Sequence, residues 1–283
     1  MARLLPLRLL QIIANGIGAL IYRLLAKRRV IAMENLRIIL GDRYTERERA
    51  QILSFSVRNT AKTMLELLKL PWLSDTQFDR FITVSGAEHL KSAAAAGNGV
   101  ILITAHFGNW EALPAVVSRC GLHLSVIARD SSNPGTARII NHSRELLGSK
   151  VLPRESVRSM LQVLRSGGGL GILPDQHAER GGIMVPFMGH PAITPGGPTA
   201  LALRTGAAVV PGFARRTPDD RLEIDILPPI EMPATGDSDA DILEGTRRIN
   251  EVIGEQIREH PEQWMWMHRR WRVEAEDAEA GPQ

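Results

Sequence analysis

From about Phe81 onward, short β-rich runs alternate with helical stretches, and this alternation constrains the chain more than any other feature. The strand candidates are Ile82–Val84, Val100–Thr104, Leu124–Ala128, Leu170–Leu173, Ile183–Val185, Val209–Phe213 and Leu222–Leu227. Between them lie helix candidates at Ala87–Ala96, Asn109–Arg119, Thr136–Leu147, Ser156–Ser166, Thr194–Arg204 and Asp239–His260. A strand that is followed by a helix pairs most readily in parallel with the next strand, so the pattern predicts an α/β domain around a mostly parallel central sheet flanked by helices. Gly97-Asn98-Gly99 and Gly167-Gly168-Gly169 punctuate it as turns. Ahead of Phe81 the chain reads as helical over 30–40 and 45–70, and Pro71 stops the second run.

The N-terminus is different. Between Arg8 and Arg23 runs LLQIIANGIGALIY, 14 residues without a charge, and residues 1–29 carry six Lys/Arg and no acid. A crossing helix needs about 20 apolar residues, whereas shorter runs lie at interfaces or in cores. The segment 1–29 is therefore expected to attach to a membrane, spanning it or lying on it, with the basic flank on an anionic cytoplasmic surface. No small-residue cleavage site precedes Lys27-Arg28-Arg29, which argues against a signal peptide. Residues 30–273 are expected to form a single α/β domain and 274–283 an acidic, disordered tail. The formal net charge of +3 is thus unevenly spread, and the basic body suits an anionic partner: a membrane surface, a phosphorylated lipid or an acidic carrier protein. One cysteine, Cys120, excludes an internal disulfide and makes a Cys-based metal site improbable.

Several chemistries have no sequence counterpart. G-x-x-x-x-G-K-S/T, G-x-G-x-x-G after a strand and H-E-x-x-H are absent. A G-x-S-x-G nucleophile elbow is missing too, which weakens a serine hydrolase. What remains is AHFGNWEA, residues 105–112. His106 falls just past the end of a buried strand candidate, Gly108 permits a tight turn, and Asn109 is suited to cap the next helix. Glu111 in the first helical turn is expected to fold back onto the imidazole, fixing its tautomer and stabilising the imidazolium when His106 takes a proton. The alternative is a surface histidine beside an acid that only serves the helix dipole. Arg129 and Asp175 follow two further strand candidates, so both are expected at the same carboxyl-terminal edge of the sheet, where ligands of open α/β folds collect. The N–H groups of Gly108 and Asn109 are candidate oxyanion donors.

HFGNWE, the downstream DQ, VPFMGHPAITPGGPTALALRTGAAVVP and REHPEQWMWMHRRWR stand in this order and together resemble the lipid A late (lauroyl/myristoyl) acyltransferase family. That family lies within the glycerolipid acyltransferase group and its H-x-x-x-x-D/E motif, and the similarity runs from about Ala32 to Arg272. The resemblance implies transfer of a fatty acyl chain from acyl carrier protein or acyl-CoA to a hydroxyl of a membrane glycolipid at the cytoplasmic face of the inner membrane. The acceptor it implies is a lipid A precursor of the Kdo2-lipid IVA type, with a phosphatidylinositol mannoside as runner-up. It makes His106 the base and Glu111 its partner, sets Arg129 and Asp175 near the acceptor or the charge-bearing atoms, and calls for no cofactor and no nucleic acid. The loop at Ala128, Asp130 and Ser131-Ser132 departs from the family's usual aromatic and bulky residues, which bears on the acceptor. A lipid thioesterase or hydrolase, and a non-enzymatic membrane-binding protein, are the competing classes. Trp264, Trp266 and Trp271 with their neighbouring arginines read either as an interfacial or channel-lining patch or as plain packing of a C-terminal helix. Arg215-Arg216 read as a charged surface pair.

Overall fold

The computed structural model describes residues 5–128, 133–178 and 181–271. Three helices open the chain: α1 (Leu7–Leu24), α2 (Ala26–Leu40) and α3 (Glu46–Lys69). A capping box starts α3, in which Thr45 and Glu48 satisfy each other's backbone N–H groups. A short α4 (Asp75–Phe81), capped the same way by Ser74 and Gln77, leads into β1 (Ile82–Ser85), α5 (Ala87–Ala95) and β2 (Val100–Ile103). After β2 come α6 (Leu113–Arg119), β3 (Leu124–Ala128), α7 (Pro134–Leu146), β4 (Ser149–Pro153), α8 (Val157–Arg165) and β5 (Gly169–Ile172). The remainder is a hairpin of β6 (Gly182–Phe187) and β7 (His190–Pro195), then α9 (Gly197–Thr205), β8 (Ala208–Arg216), β9 (Leu222–Ile226) and α10 (Ser238–Glu259).

Among the described residues seven strands form one sheet in the order β1-β9-β8-β2-β5-β3-β4. Every neighbouring pair is parallel except β8 with β9. The α/β reading with a mostly parallel sheet therefore holds. β2 is central and buried along its whole length, with Ile101 and Ile103 in the apolar cluster on one face and Val100 and Leu102 in that on the other. Such two-sided burial is why VILI reads as a continuous apolar run. The chain leaves β2 towards β3 and β4 on one side and, after β5, reappears as β8 on the other. The carboxyl end of β2 is thus a topological switch point, where a crevice opens beyond the sheet.

The structure corrects several sequence boundaries. β4 and α4 were not expected as elements of their own. Ile183–Val185 belongs to a separate antiparallel hairpin, and the helix expected from Thr194 begins only at Gly197 because β7 occupies His190–Pro195. The helix expected from Asn109 is a 3-10 turn at Trp110–Ala112 followed by α6, and Asn109 makes no side-chain cap. After α10 the chain holds a 3-10 turn at Pro261–Gln263 and then, among the described residues, no helix, yet Trp264, Trp266 and Arg270 are all fully buried. Of the two readings of this segment, packing holds, but as an irregular strap and with Arg270 inside rather than solvated.

Arg216 is also buried rather than a surface residue, and its pairing ties the fold together. Its guanidinium meets Glu66 of α3 through two bonds of 2.9 and 2.7 Å, and Asn59 through a third of 2.6 Å. Gln11 of α1 donates to the same Glu66 carboxylate at 2.8 Å. Leu10, Ala14 and Gly18 of α1 are buried, and a Cβ at Gly18 would come within 2.5 Å of Arg58 Cα, so α1 lies tightly along α3. Removing one member of a buried ion pair strands the other charge, at a cost of about 3–5 kcal/mol. Arg216→Met is accordingly expected to lower the free energy of unfolding, measured with urea, by an amount in that range, while Arg215→Met, at a half-exposed pair with Glu223, is expected to change it by less than about 1 kcal/mol.

Candidate active site

β2 ends at Ile103, but the pairing with β5 continues for one step as Thr104 N–H donates to Ile172 O at 3.1 Å. Two residues on, the His106 N–H donates to Asp175 Oδ2 at 2.8 Å, and His106 Nδ1 lies 2.9 Å from Asp175 Oδ1. Trp264 Nε1 donates to Oδ2 at 2.8 Å and completes the carboxylate's shell. A carboxylate only accepts, so Nδ1 carries the ring proton and Nε2 presents its lone pair away from Asp175. The indole of Trp110 packs edge-on against the imidazole with centroids 5.2 Å apart.

The sequence places His106 and Asp175 at one edge of the sheet, and the structure does bring them together. It assigns the carboxylate contact differently, however. Glu111, expected on the imidazole, is turned onto Arg144 of α7, accepting from Nη2 at 2.6 Å and Nε at 2.9 Å. Arg144 was not singled out in the sequence. Spacing could not reveal it, because it sits 33 positions from its partner in an amphipathic helix. Glu111 still bears on His106 through space. Burial pushes the imidazole pKa down, but the charge and hydrogen bond of Asp175 outweigh it, Glu111 adds to them, and the net result is a pKa above the ordinary value. Burial would raise the Asp175 pKa, yet the same bonds hold it down at about 2. Arg129 lies outside the described residues.

Gly108 and Asn109 hold the loop instead of offering N–H groups to a substrate. The Gly108 N–H donates to Gln263 O at 2.9 Å and the Asn109 N–H to Ala214 O at 2.8 Å, so both candidate oxyanion donors are spent. The Gly108 carbonyl accepts from Asn59 and Thr63, and the fully buried Asn109 amide donates to Glu66 at 2.6 Å. Gly108 has φ +56°, and a Cβ there would lie 1.7 Å from the Ala214 carbonyl oxygen. Gly108→Ala combines a left-handed backbone with a main-chain collision and is expected to cost more than about 2 kcal/mol in urea unfolding. Gly97→Ala, at φ +78° with nothing within 4 Å, is expected to show the backbone cost alone, about 1 kcal/mol.

His106 opens onto a cavity of about 660 Å³ between the carboxyl ends of β2, β3 and β5 and the helices α7, α8 and α9. Val126, Ile127, Met160, Leu161, Ile172 and Leu201 make its wall apolar, while Glu111, Arg144, Arg154 and Arg204 bring charge to it. The volume and the lining are those of a small-molecule site. Gln176, next to Asp175, sets its amide Nε2 3.5 Å from His106 Nε2. His268 lines the same cavity, with Nδ1 buried and unpartnered, and burial keeps its pKa down at about 4. Among the described residues no group of three His, Cys, Asp or Glu side chains is placed to hold a metal ion.

An imidazole oriented by a buried carboxylate, with its free nitrogen facing a largely apolar cavity, can take a proton from a hydroxyl or water bound there. Comparison with known proteins narrows this chemistry. Over 277 residues the chain is 26% identical to a lipid A biosynthesis lauroyltransferase of Escherichia coli, covering 96% of this chain and 88% of the relative. It is 24% identical over 272 residues to a lipid A biosynthesis palmitoleoyltransferase of the same organism, covering 95% and 87%. With a phosphatidylinositol mannoside acyltransferase of Mycobacterium tuberculosis it shares 26% identity over 234 residues, 79% of this chain and 71% of that one. The family described as bacterial lipid A biosynthesis acyltransferase matches residues 1–273, and the chain belongs to it.

Proposed function

We propose that the chain moves a fatty acyl group from a thioester donor, acyl carrier protein or acyl-CoA, onto a hydroxyl of a membrane glycolipid, with His106 as general base. Family membership makes it an O-acyltransferase acting on a glycolipid. The observation that carries the rest is the His106–Asp175 contact at the mouth of an amphipathic cavity. In this mechanism the acceptor O–H gives its proton to His106 Nε2 as its oxygen attacks the thioester carbonyl. The tetrahedral oxyanion then collapses, the C–S bond breaks, and the imidazolium returns the proton to the departing sulfur. Asp175 stabilises the imidazolium between the two steps. Glu111 fixes Arg144 in the wall of the cavity and so shapes the site beside the base.

A lipid A precursor is the acceptor favoured by the lauroyl- and palmitoleoyltransferase relatives. The match to a phosphatidylinositol mannoside acyltransferase supports a second reading, acylation of a mannosylated phosphoinositide. Attachment to the cytoplasmic face of the inner membrane fits α1, whose Leu9, Ile12, Ile13, Leu20 and Leu24 point outwards. Because Gln11 reaches Glu66 and the other face of α1 packs on the charged helix α3, α1 is suited to lie on a bilayer rather than cross it.

Purified protein in detergent, offered acyl carrier protein and CoA thioesters with a tetra-acylated lipid A precursor, tests this reading. Acylated lipid is expected from the wild type, and His106→Ala is expected to lower kcat by about 10²–10⁴. A base works when neutral, so the raised pKa puts the acid limb of the rate profile above the pH at which free imidazole titrates. Asp175→Asn removes the largest raising influence, so this limb should move to lower pH while the maximal rate falls. Free fatty acid alone would indicate a hydrolase, and transfer undiminished in His106→Ala would remove it from the mechanism.

A further inference from the structure

Two consecutive residues bracket the imidazole of His106. Asp175 holds Nδ1, and Gln176 brings its amide Nε2 to 3.5 Å from His106 Nε2 on the cavity side. Because His106 Nε2 presents a lone pair, the end of the amide that faces it is the NH2 group. The contact is longer than the roughly 2.7–3.2 Å of a firm hydrogen bond, so these amide protons are held loosely.

A base alone does not complete acyl transfer. The carbonyl oxygen gains charge as the tetrahedral intermediate forms, and it needs donors about 2.7–3.1 Å away. The N–H groups of Gly108 and Asn109 are spent on Gln263 and Ala214, the Trp110 indole donates to Glu111 at 3.2 Å, and Arg144 is turned onto Glu111. Gln176 is placed differently. A hydroxyl oxygen that gives its proton to His106 Nε2 lies within about 3.2 Å of it, and the oxyanion forms one carbon further on, within reach of an amide beside that nitrogen.

His268 lines the same cavity from the C-terminal strap. Its carbonyl accepts from Asn35 Nδ2 at 2.7 Å and from the Arg270 N–H at 3.0 Å, which fixes its backbone. The ring makes no hydrogen bond with a described residue, and its Nδ1 is buried. An orphaned N–H is rarer in a protein interior than an unfilled acceptor, so the ring proton sits on Nε2, the nitrogen left to face the cavity. Burial keeps this ring neutral, with a pKa of about 4, so it donates without setting a second positive charge against the His106 imidazolium.

Resting on the acyl-transfer reading, we infer that Gln176 and His268 form the oxyanion hole, the side-chain amide of one and the Nε2–H of the other donating to the thioester carbonyl oxygen. The C=O π pair moves onto that oxygen as the acceptor oxygen attacks and returns as the C–S bond breaks. Neither donor gives up its proton.

Thiol release from acyl-CoA, measured with the glycolipid precursor present, tests this. It counts thioester cleavage whether a hydroxyl or water attacks, so a hydrolase outcome would end the acyl-transfer reading and leave this one standing. Gln176→Met keeps the length without an N–H, and His268→Phe keeps a ring without one. Each is expected to lower kcat about 10²–10³-fold with KM little changed, the pattern of a contact made only in the transition state. His268→Gln, which restores a donor, is expected to recover part of the loss. A merely structural role would instead lower the free energy of unfolding in urea, which is expected to stay unchanged. Binding gives a readout without turnover: the wild type is expected to prefer an acyl-CoA trifluoromethyl ketone, whose hydrate mimics the tetrahedral intermediate, over the alkyl-CoA thioether. Each substitution should cut that preference about tenfold, the worth of one such hydrogen bond. Undiminished kcat in either variant, a loss carried wholly by KM, or no preference for the ketone in the wild type would overturn the inference.

Discussion

Everything near the candidate active-site edge hangs on the buried pair of Glu66 and Arg216. Both side chains are removed from water, a situation that costs several kcal/mol per charge unless the geometry makes it good. Here it does. Each carboxylate oxygen accepts two hydrogen bonds: Oε1 from Gln11 and Arg216, Oε2 from Asn109 and Arg216. The three partner residues come from α1, from β8 and from the loop after β2, so a single carboxylate joins three distant parts of the chain to α3. Gln263, which exchanges hydrogen bonds with the Arg216 backbone and accepts from Gly108 N–H, adds the C-terminal strap.

With the loop held from below in this way, His106 has little freedom above. Its backbone N–H and its Nδ1 both meet Asp175, and its carbonyl accepts from Met265. Trp264, from the same strap, fixes the far side of Asp175. Orientation of a histidine by a buried carboxylate is usually described as a pair of residues. In this chain it is the outer layer of a network that begins at Glu66, and the Gly108 turn is the hinge between them because only glycine fits both its φ and its contact with Ala214.

The sequence made the centre of the fold legible and left its edges obscure, for physical reasons. Val100–Ile103 is buried on both faces, so its apolar run announces a central strand. β4, at the sheet edge with Ser149 and Lys150, alternates too weakly to stand out. β7 contains Pro191 and Pro195, which a two-stranded hairpin tolerates but which hide it from a strand pattern. His106 and Asp175 were found because strand ends gather at one edge of a parallel sheet, yet their pairing spans 69 positions and no local spacing encodes it. Glu111 was read as the partner because it was near in sequence, and Arg144 competes for it from another helix. Glu66 and Arg216 look like ordinary surface charges in their own elements, because burial of an ion pair is a property of the assembled fold.

The central claim is that Asp175, not Glu111, sets the state of His106. Nitrogen NMR of histidine-labelled protein, with His106 assigned by its loss in His106→Gln, tests it most directly. The account predicts a ring protonated at Nδ1 and free at Nε2 in the wild type, with a pKa above that of free imidazole. It predicts that this tautomer persists in Glu111→Gln and is lost, with a lower pKa, in Asp175→Asn. A tautomer that survives Asp175→Asn and disappears in Glu111→Gln would contradict it.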